Sequence, residues 1–203
     1  CDGWATRQRL RLTVTNRDGQ DVQMVSDYTT WESKDGLSMR FRMRQTTEDA
    51  VTSEVAGEAS LTKTGGPGEV RYSVPDGVVK PLPAGTLFPT AHTEAILQAA
   101  STGKKFFTMP LFDGTGDKGA QETSVAIASW GHARIGQWPE LAALANGRAH
   151  VAFFDRDAAS QEPDYEVAMR YWENGVADEL DMDFGDFVMK GTLKQLVLLP
   201  SGC

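Results

Sequence analysis

The chain has 203 residues, 40% of them hydrophobic, and 28 acidic against 20 basic side chains give it a net charge of −8. That length can bury a core and reads as one domain spanning 1–203. The acidity has the wrong sign for a nucleic-acid binder or an anionic membrane surface, and no apolar run approaches the ~20 residues of a transmembrane segment.

From Trp4 to Val14 the sequence alternates. Leu10, Leu12 and Val14 fall on one side and Arg7, Arg9 and Arg11 on the other, which predicts a half-buried strand over 4–15. Asn16-Arg17-Asp18-Gly19 and Ser33-Lys34-Asp35-Gly36 each suit a type I turn ending in a glycine at positive φ, as in three-residue hairpin loops. They place strands at 20–32 and 37–47 in an antiparallel meander. The first turn sets Val14 opposite Val22, Leu12 opposite Met24 and Arg9 opposite Asp27, so even positions of the second strand face inward. The second sets Met39 opposite Trp31 and Phe41 opposite Thr29, so odd positions face inward. Parity cannot switch within a regular strand, and a bulge between Val25 and Tyr28 is expected.

Further strands are expected at 51–63, 69–74, 104–112, 122–130, 149–154, 165–173, 176–184 and 187–199, with Asn174-Gly175 as a hairpin turn. One helix is expected from Thr90 to Thr102, with Thr90 as N-cap, Gly103 as its stop and Ile96, Leu97 and Ala100 as its apolar face. A short helical turn is expected to start at Trp138-Pro139 and run to Ala145. The stretches 65–68 and 158–161 read as loops. Together these elements predict a mainly β protein: one large curved antiparallel sheet, a β-spiral or open barrel, with the main helix in its mouth.

Cysteine occurs twice, at Cys1 and Cys203. Three readings are open: a disulfide closing the whole chain, two unpaired core residues, or a lipid-modified Cys1 that leaves Cys203 an odd thiol. Chain ends are the positions least suited to burial, which favours the disulfide. That pairing implies an oxidising compartment, with a signal peptide expected upstream of Cys1. In the chain-entropy model it removes roughly 5 kcal/mol of unfolded-state freedom.

No catalytic residue, metal site or cofactor is expected. G-x-S-x-G is absent, and His92, His132 and His150 are too few and too scattered for a metal centre. Residues 114–119 lack the ending of a phosphate loop and read as a hairpin tip. The acidic run 178–186 has Phe184-Gly185 where a calcium loop needs a third acid and its glycine. As a strand, its acids Glu179, Asp181 and Asp183 face water.

Two surfaces are candidates for function. Trp31, Met39, Phe41 and Met43 read as one apolar face, either an ordinary packed core or the lining of a hollow for an acyl chain. Arg40, Arg42 and Arg44, like Arg7, Arg9 and Arg11, form a stripe along one face. Such a stripe receives an acidic partner or anionic lipid head groups, or is a solvated face paired with acids across the sheet.

Cys1-Asp2-Gly3-Trp4, the stretch from Asp27 through Trp31-Glu32-Ser33-Lys34-Asp35-Gly36-Leu37 to Arg40-Phe41-Arg42, and Leu82-Pro83-Ala84-Gly85-Thr86-Leu87-Phe88-Pro89-Thr90 resemble the cell-envelope integrity EipB family. So do Phe112-Asp113-Gly114, Tyr171-Trp172-Glu173-Asn174-Gly175-Val176, Gly185-Asp186-Phe187 and Leu199-Pro200 before Cys203. The resemblance implies a periplasmic protein of alphaproteobacterial type, a spiralling sheet closed by a Cys1–Cys203 disulfide, and a part in maintaining the Gram-negative envelope. It supplies no catalytic residues. It also implies a fold similar to that of periplasmic lipoprotein carriers, an analogy of fold alone. Three functions follow in order: a non-enzymatic factor acting through contacts with a periplasmic or envelope protein, a carrier of lipid or lipoprotein acyl chains, and a hydrolase of envelope polymers. The missing base–nucleophile constellation counts against the last.

Overall fold

The computed structural model describes residues 2–15, 19–132, 138–158 and 162–199. The strands β1 (Gly3–Thr15), β2 (Asp21–Ser33), β3 (Ser38–Thr47), β4 (Ala50–Leu61), β5 (Gly68–Val74) and β6 (Val79–Leu82) form one antiparallel sheet in chain order. Helix α1 (Pro89–Ser101) follows. A second sheet holds β7 (Phe106–Leu111), β8 (Gln121–Ile127), β9 (Asn146–Phe154), β10 (Tyr165–Trp172), β11 (Ala177–Asp183) and β12 (Val188–Gly191), again in chain order. Neither sheet closes on itself.

The single sheet expected from sequence is thus two. The helix separates β6 from β7, and these two strands do not pair. The chain divides into two compact units. One comprises residues 1–90 and 112–120, the other 91–111 and 121–203. Cys1 and Cys203, the middle of the first expected turn (16–18) and most of the loop 158–161 lie outside the described residues.

Within the first unit, the register of β1 on β2 is as expected, with Leu12 opposite Met24 and Arg9 opposite Asp27. The register of β2 on β3 is not. Thr30 pairs with Phe41, Trp31 with Arg40 and Glu32 with Met39, one residue from the expected pairing. The cause is the turn. Asp35 Oδ1 accepts from Ser33 Oγ at 2.5 Å and from Leu37 N at 3.0 Å, and Ser33 Oγ accepts from Ser38 N at 2.9 Å. These bonds draw Leu37 into the loop and make it one residue longer. With that register β2 needs no parity switch, and it runs without the expected bulge. The irregularities fall elsewhere, between β3 and β4, β4 and β5, and β10 and β11.

The inner face of the first sheet holds a core of Met39, Phe41, Leu61, Val70, Tyr72, Leu82, Phe88 and Phe112. Burial of such side chains stabilises by about 1.5–3 kcal/mol each. Strand β6 escapes the sequence reading because Pro81 interrupts its four residues.

In the second unit, Ile96, Ala99 and Ala100 of α1 pack with Val125, Ile127, Ala149, Val151 and Met169. The helix begins one residue before the expected cap, with Pro89 at its first position. The expected short helix is a single 3-10 turn, Pro139–Leu141, anchored by buried Leu141. The last expected strand ends at Gly191. Its partner β11 turns at Glu179, whose φ is +51°, and Asp178 Oδ1 takes the Leu193 amide at 2.5 Å. Among the described residues the β11–β12 ladder ends at Leu180 opposite Gly191.

Candidate functional site

The two faces of the first sheet carry the two surfaces singled out in the sequence. On the inner face, Met39 and Phe41 are 1% and 5% exposed. The Phe41 ring meets Tyr72 and Phe112 edge-to-face at 5.7 and 5.2 Å between centroids, and Phe112 meets Phe88 in the same way at 6.4 Å. Two glycines make room for Phe41. A Cβ on Gly57 would lie 3.0 Å from Phe41 Cζ, and one on Gly114 would lie 2.5 Å from Phe41 Cγ. Gly114 also sits at φ +71°, a conformation that favours glycine.

The loop Phe112–Ala120 joins β7 to β8 as the expected hairpin tip, with Phe112 and Gly114 buried against the core of the first unit and residues 115–118 exposed. Tyr28 Oη donates to the Asp113 carbonyl, and Tyr72 Oη donates to the Gly116 carbonyl at 3.1 Å. Burial pushes the Tyr72 hydroxyl up to about 12. Asp113 keeps partial exposure as a residue, yet desolvation of its carboxyl raises it above the ordinary aspartate range, against bonds from Thr115 N and Oγ1.

Trp31 does not join this face. Directly opposite residues point to the same side, so Trp31 lies with Arg40 on the outer face. The Arg40 Cζ sits 4.6 Å from the Trp31 ring centroid. Met43 shares the inner parity of Phe41 and is half-buried. Of the four residues expected on one apolar face, the structure keeps Met39, Phe41 and Met43 together and places Trp31 behind them.

The inward residue at the end of β2 is instead Glu32, 2% exposed. Its Oε1 and Oε2 accept from Thr90 N at 3.1 and 2.9 Å, and Oε1 accepts from Thr90 Oγ1 at 2.8 Å. Thr90 is a first-turn amide of α1, a donor that the helix itself leaves unpaired, and an acidic oxygen there also suits the helix dipole. Sequence reasoning missed Glu32 because an apolar Trp beside an acid makes the wrong one look inward.

The outer face is a ladder of charge. One cross-strand row runs Ala5, Trp31, Arg40, Glu58, Arg71; the next Arg7, Thr29, Arg42, Ala56; the next Arg9, Asp27, Arg44, Glu54. Arg9 pairs with Asp27 at 3.5 Å, Arg42 with Glu54 at 2.5 Å and Arg71 with Glu69 at 2.5 Å. Arg7, Arg11 and Arg44 have no ion pair among the described residues. An open hollow of about 230 Å³ lies on this face between Trp31, Arg40, Glu58, Glu69 and Arg71. Six arginines stand against three acids in these rows, on a chain whose net charge is −8.

The acidic run 178–186 is engaged by cations of its own unit. Arg148 reaches Glu179 at 2.9 Å and Asp181 at 3.3 Å, and Arg170 reaches Glu179 at 3.1 Å. Among the described residues no cluster of His, Cys, Asp and Glu has the geometry to hold a metal ion. No helix there is long and apolar enough to cross a membrane.

Residues 1–200 match the EipB-like family. The chain belongs to that family. It is 30% identical to the cell envelope integrity protein EipB of Brucella abortus (strain 2308) over 210 aligned positions, which cover 100% of this chain and 73% of the relative. The crystal structure of a β-barrel-like protein from Brucella abortus, assigned to a domain of unknown function, superposes with a TM-score of 0.88 at 26% identity. That match covers 98% of this chain and 84% of the other. The stretches quoted above for the EipB resemblance include Phe112 of the first unit's core, the buried Glu32, and Gly114 beside the Phe41 ring.

Proposed function

We propose that this protein is a non-enzymatic factor of the Gram-negative periplasm that maintains the cell envelope through protein contacts. The envelope role is supported by membership of the EipB-like family and full-length similarity to a protein named for envelope integrity. The contact surface is the outer face of β1–β5, with Arg40, Arg42 and Arg44 at its centre. The observation that carries this is the segregation of charge: a net positive face on an acidic protein, with Arg7, Arg11 and Arg44 in no ion pair among the described residues. Such a face steers and orients an acidic partner.

Acyl-chain carriage finds less support. Phe41 stands in closed aromatic packing, and the apolar hollow between Leu10, Leu12, Met24 and Thr47 holds only about 60 Å³. An apolar cavity of ~150 Å³ takes up a single benzene ring. The periplasmic assignment draws on a Cys1–Cys203 disulfide, and two free thiols in the denatured, unreduced protein would contradict it.

Photocrosslinking in living cells tests the contact surface. A benzophenone side chain in place of Arg42 or Arg44 is expected to trap a discrete protein adduct. One in place of Phe106, which is 76% exposed on β7, is expected to trap none. Equal trapping at both places would contradict the proposal.

A further inference from the structure

The two sheets present four edge strands, and three of them are poorly suited to pairing. β6 and β12 are four residues long, and β6 and β7 contain Pro81 and Pro110. Short strands and prolines are how native sheets protect their edges. β1 differs from all three. It runs for 13 residues without proline, holds an unbroken register on β2 from Gly3 to Thr15, and has no strand on its other side among the described residues. Every second N–H and C=O along it points to that open side.

The two faces of this edge differ sharply. Arg7, Arg9 and Arg11 are exposed on one, while Gln8, Leu10 and Leu12 line the other, with Leu10 53% exposed. Burying none of its apolar stripe fully while leaving its backbone unpaired is an unfavourable arrangement for a solvated edge, and an added strand relieves both.

We propose that an extended segment of a partner protein adds to β1 as a further antiparallel or parallel strand, and that this segment alternates acidic with apolar residues. Paired residues share a face, so the acids lie beside Arg7, Arg9 and Arg11 and the apolar side chains beside Gln8, Leu10 and Leu12. The proposal rests on the contact-face reading above and supplies its occupant. A second copy of the chain does not fit. Antiparallel pairing of β1 with itself sets arginine against arginine in one parity and arginine beside leucine in the other, and both are unfavourable.

The probe is a capped Glu-Val-Glu-Val-Glu-Val-Glu-Val-Glu peptide added to the full chain, with amide exchange followed by NMR. It is expected to slow exchange at least about tenfold at alternate residues of Gly3–Thr15, those not already bonded to β2. Two further peptides carry N-methyl groups on alternate amides, in opposite phases. One phase is expected to bind like the parent and the other to lose binding, because only one row of amides faces β1. The variant R7Q/R9Q/R11Q is expected to bind the parent about tenfold more weakly through the loss of three cross-strand charge pairs. A Lys-Val peptide is expected not to bind.

Absence of binding, binding without protection of β1, indifference to both methylation phases, or equal binding of the Lys-Val peptide would each overturn the proposal. Perturbation confined to Arg40, Arg42 and Arg44 would overturn strand addition while leaving the contact face standing. Failure of the contact face itself is read separately, from the cellular crosslinks.

Discussion

The Arg40 guanidinium lies 4.6 Å over the Trp31 ring, on the face of the sheet opposite Phe41. This pair follows from the register that the Ser33–Asp35 turn sets between β2 and β3, and it places both side chains on the outer face. A double-mutant cycle checks it. Trp31→Leu and Arg40→Met are expected to couple by about 0.5–1 kcal/mol, the range of an exposed cation–π contact. Trp31 and Met39, the pair suggested by the shorter turn, are expected to show no coupling.

Glu32 gives a second prediction. Replacing it with Ala removes three hydrogen bonds and leaves the half-buried Thr90 amide without its Glu32 acceptor. The expected loss is about 2–4 kcal/mol by denaturant unfolding. Gln, which keeps one acceptor oxygen, is expected to recover part of it.

His92 gives stability a pH dependence. Burial lowers its pKa from 6.5 to about 4. Its Nε2 lies 3.0 Å from Thr123 Oγ1, whose own proton goes to the Met109 carbonyl, so Nε2 is the donor of a neutral imidazole. The unfolded chain binds the proton more readily than the folded one. The contribution is therefore complete above about pH 6.5 and is lost as pH falls toward 4, by about 3 kcal/mol. His92→Gln is expected to flatten the unfolding free energy across that window. An unchanged pH slope in the variant would contradict the assignment.

Phe41 tests the closed core. Phe41→Asp is expected to unfold the first unit, since an unpaired carboxylate there costs several kcal/mol. Gly114→Ala is expected to cost about 2–4 kcal/mol, from the contact with Phe41 and the positive φ. Thermal melts check both. A Phe41→Asp protein that melts like the parent would show an open, wet site.

Much of this was legible in the sequence, and the exceptions share a physical cause. Period-two alternation located β1, β2 and β3 to within a residue, because a half-buried strand must alternate. What alternation does not encode is loop length. Whether Leu37 belongs to the turn or to the strand depends on side-chain bonds of Ser33 and Asp35, and that single residue reversed the placement of Trp31. The division into two sheets was likewise hidden, since strands on either side of α1 look alike in pattern. The arginine stripes were visible at once. That Arg7, Arg11 and Arg44 form no ion pair among the described residues could be seen only when the rows were assembled.

The central claim is that the arginine face, and not an apolar hollow, carries the function. Two full-length variants test it side by side: R40Q/R42Q/R44Q, and M24E, which places a charge in the hollow beside Leu10 and Leu12. Both alter exposed positions, and each is expected to melt within a few degrees of the parent. The measurement is survival of detergent stress in cells lacking the natural gene. M24E is expected to restore resistance and the arginine variant to fail. Full rescue by R40Q/R42Q/R44Q, with loss of rescue by M24E at unchanged protein levels, would contradict the account.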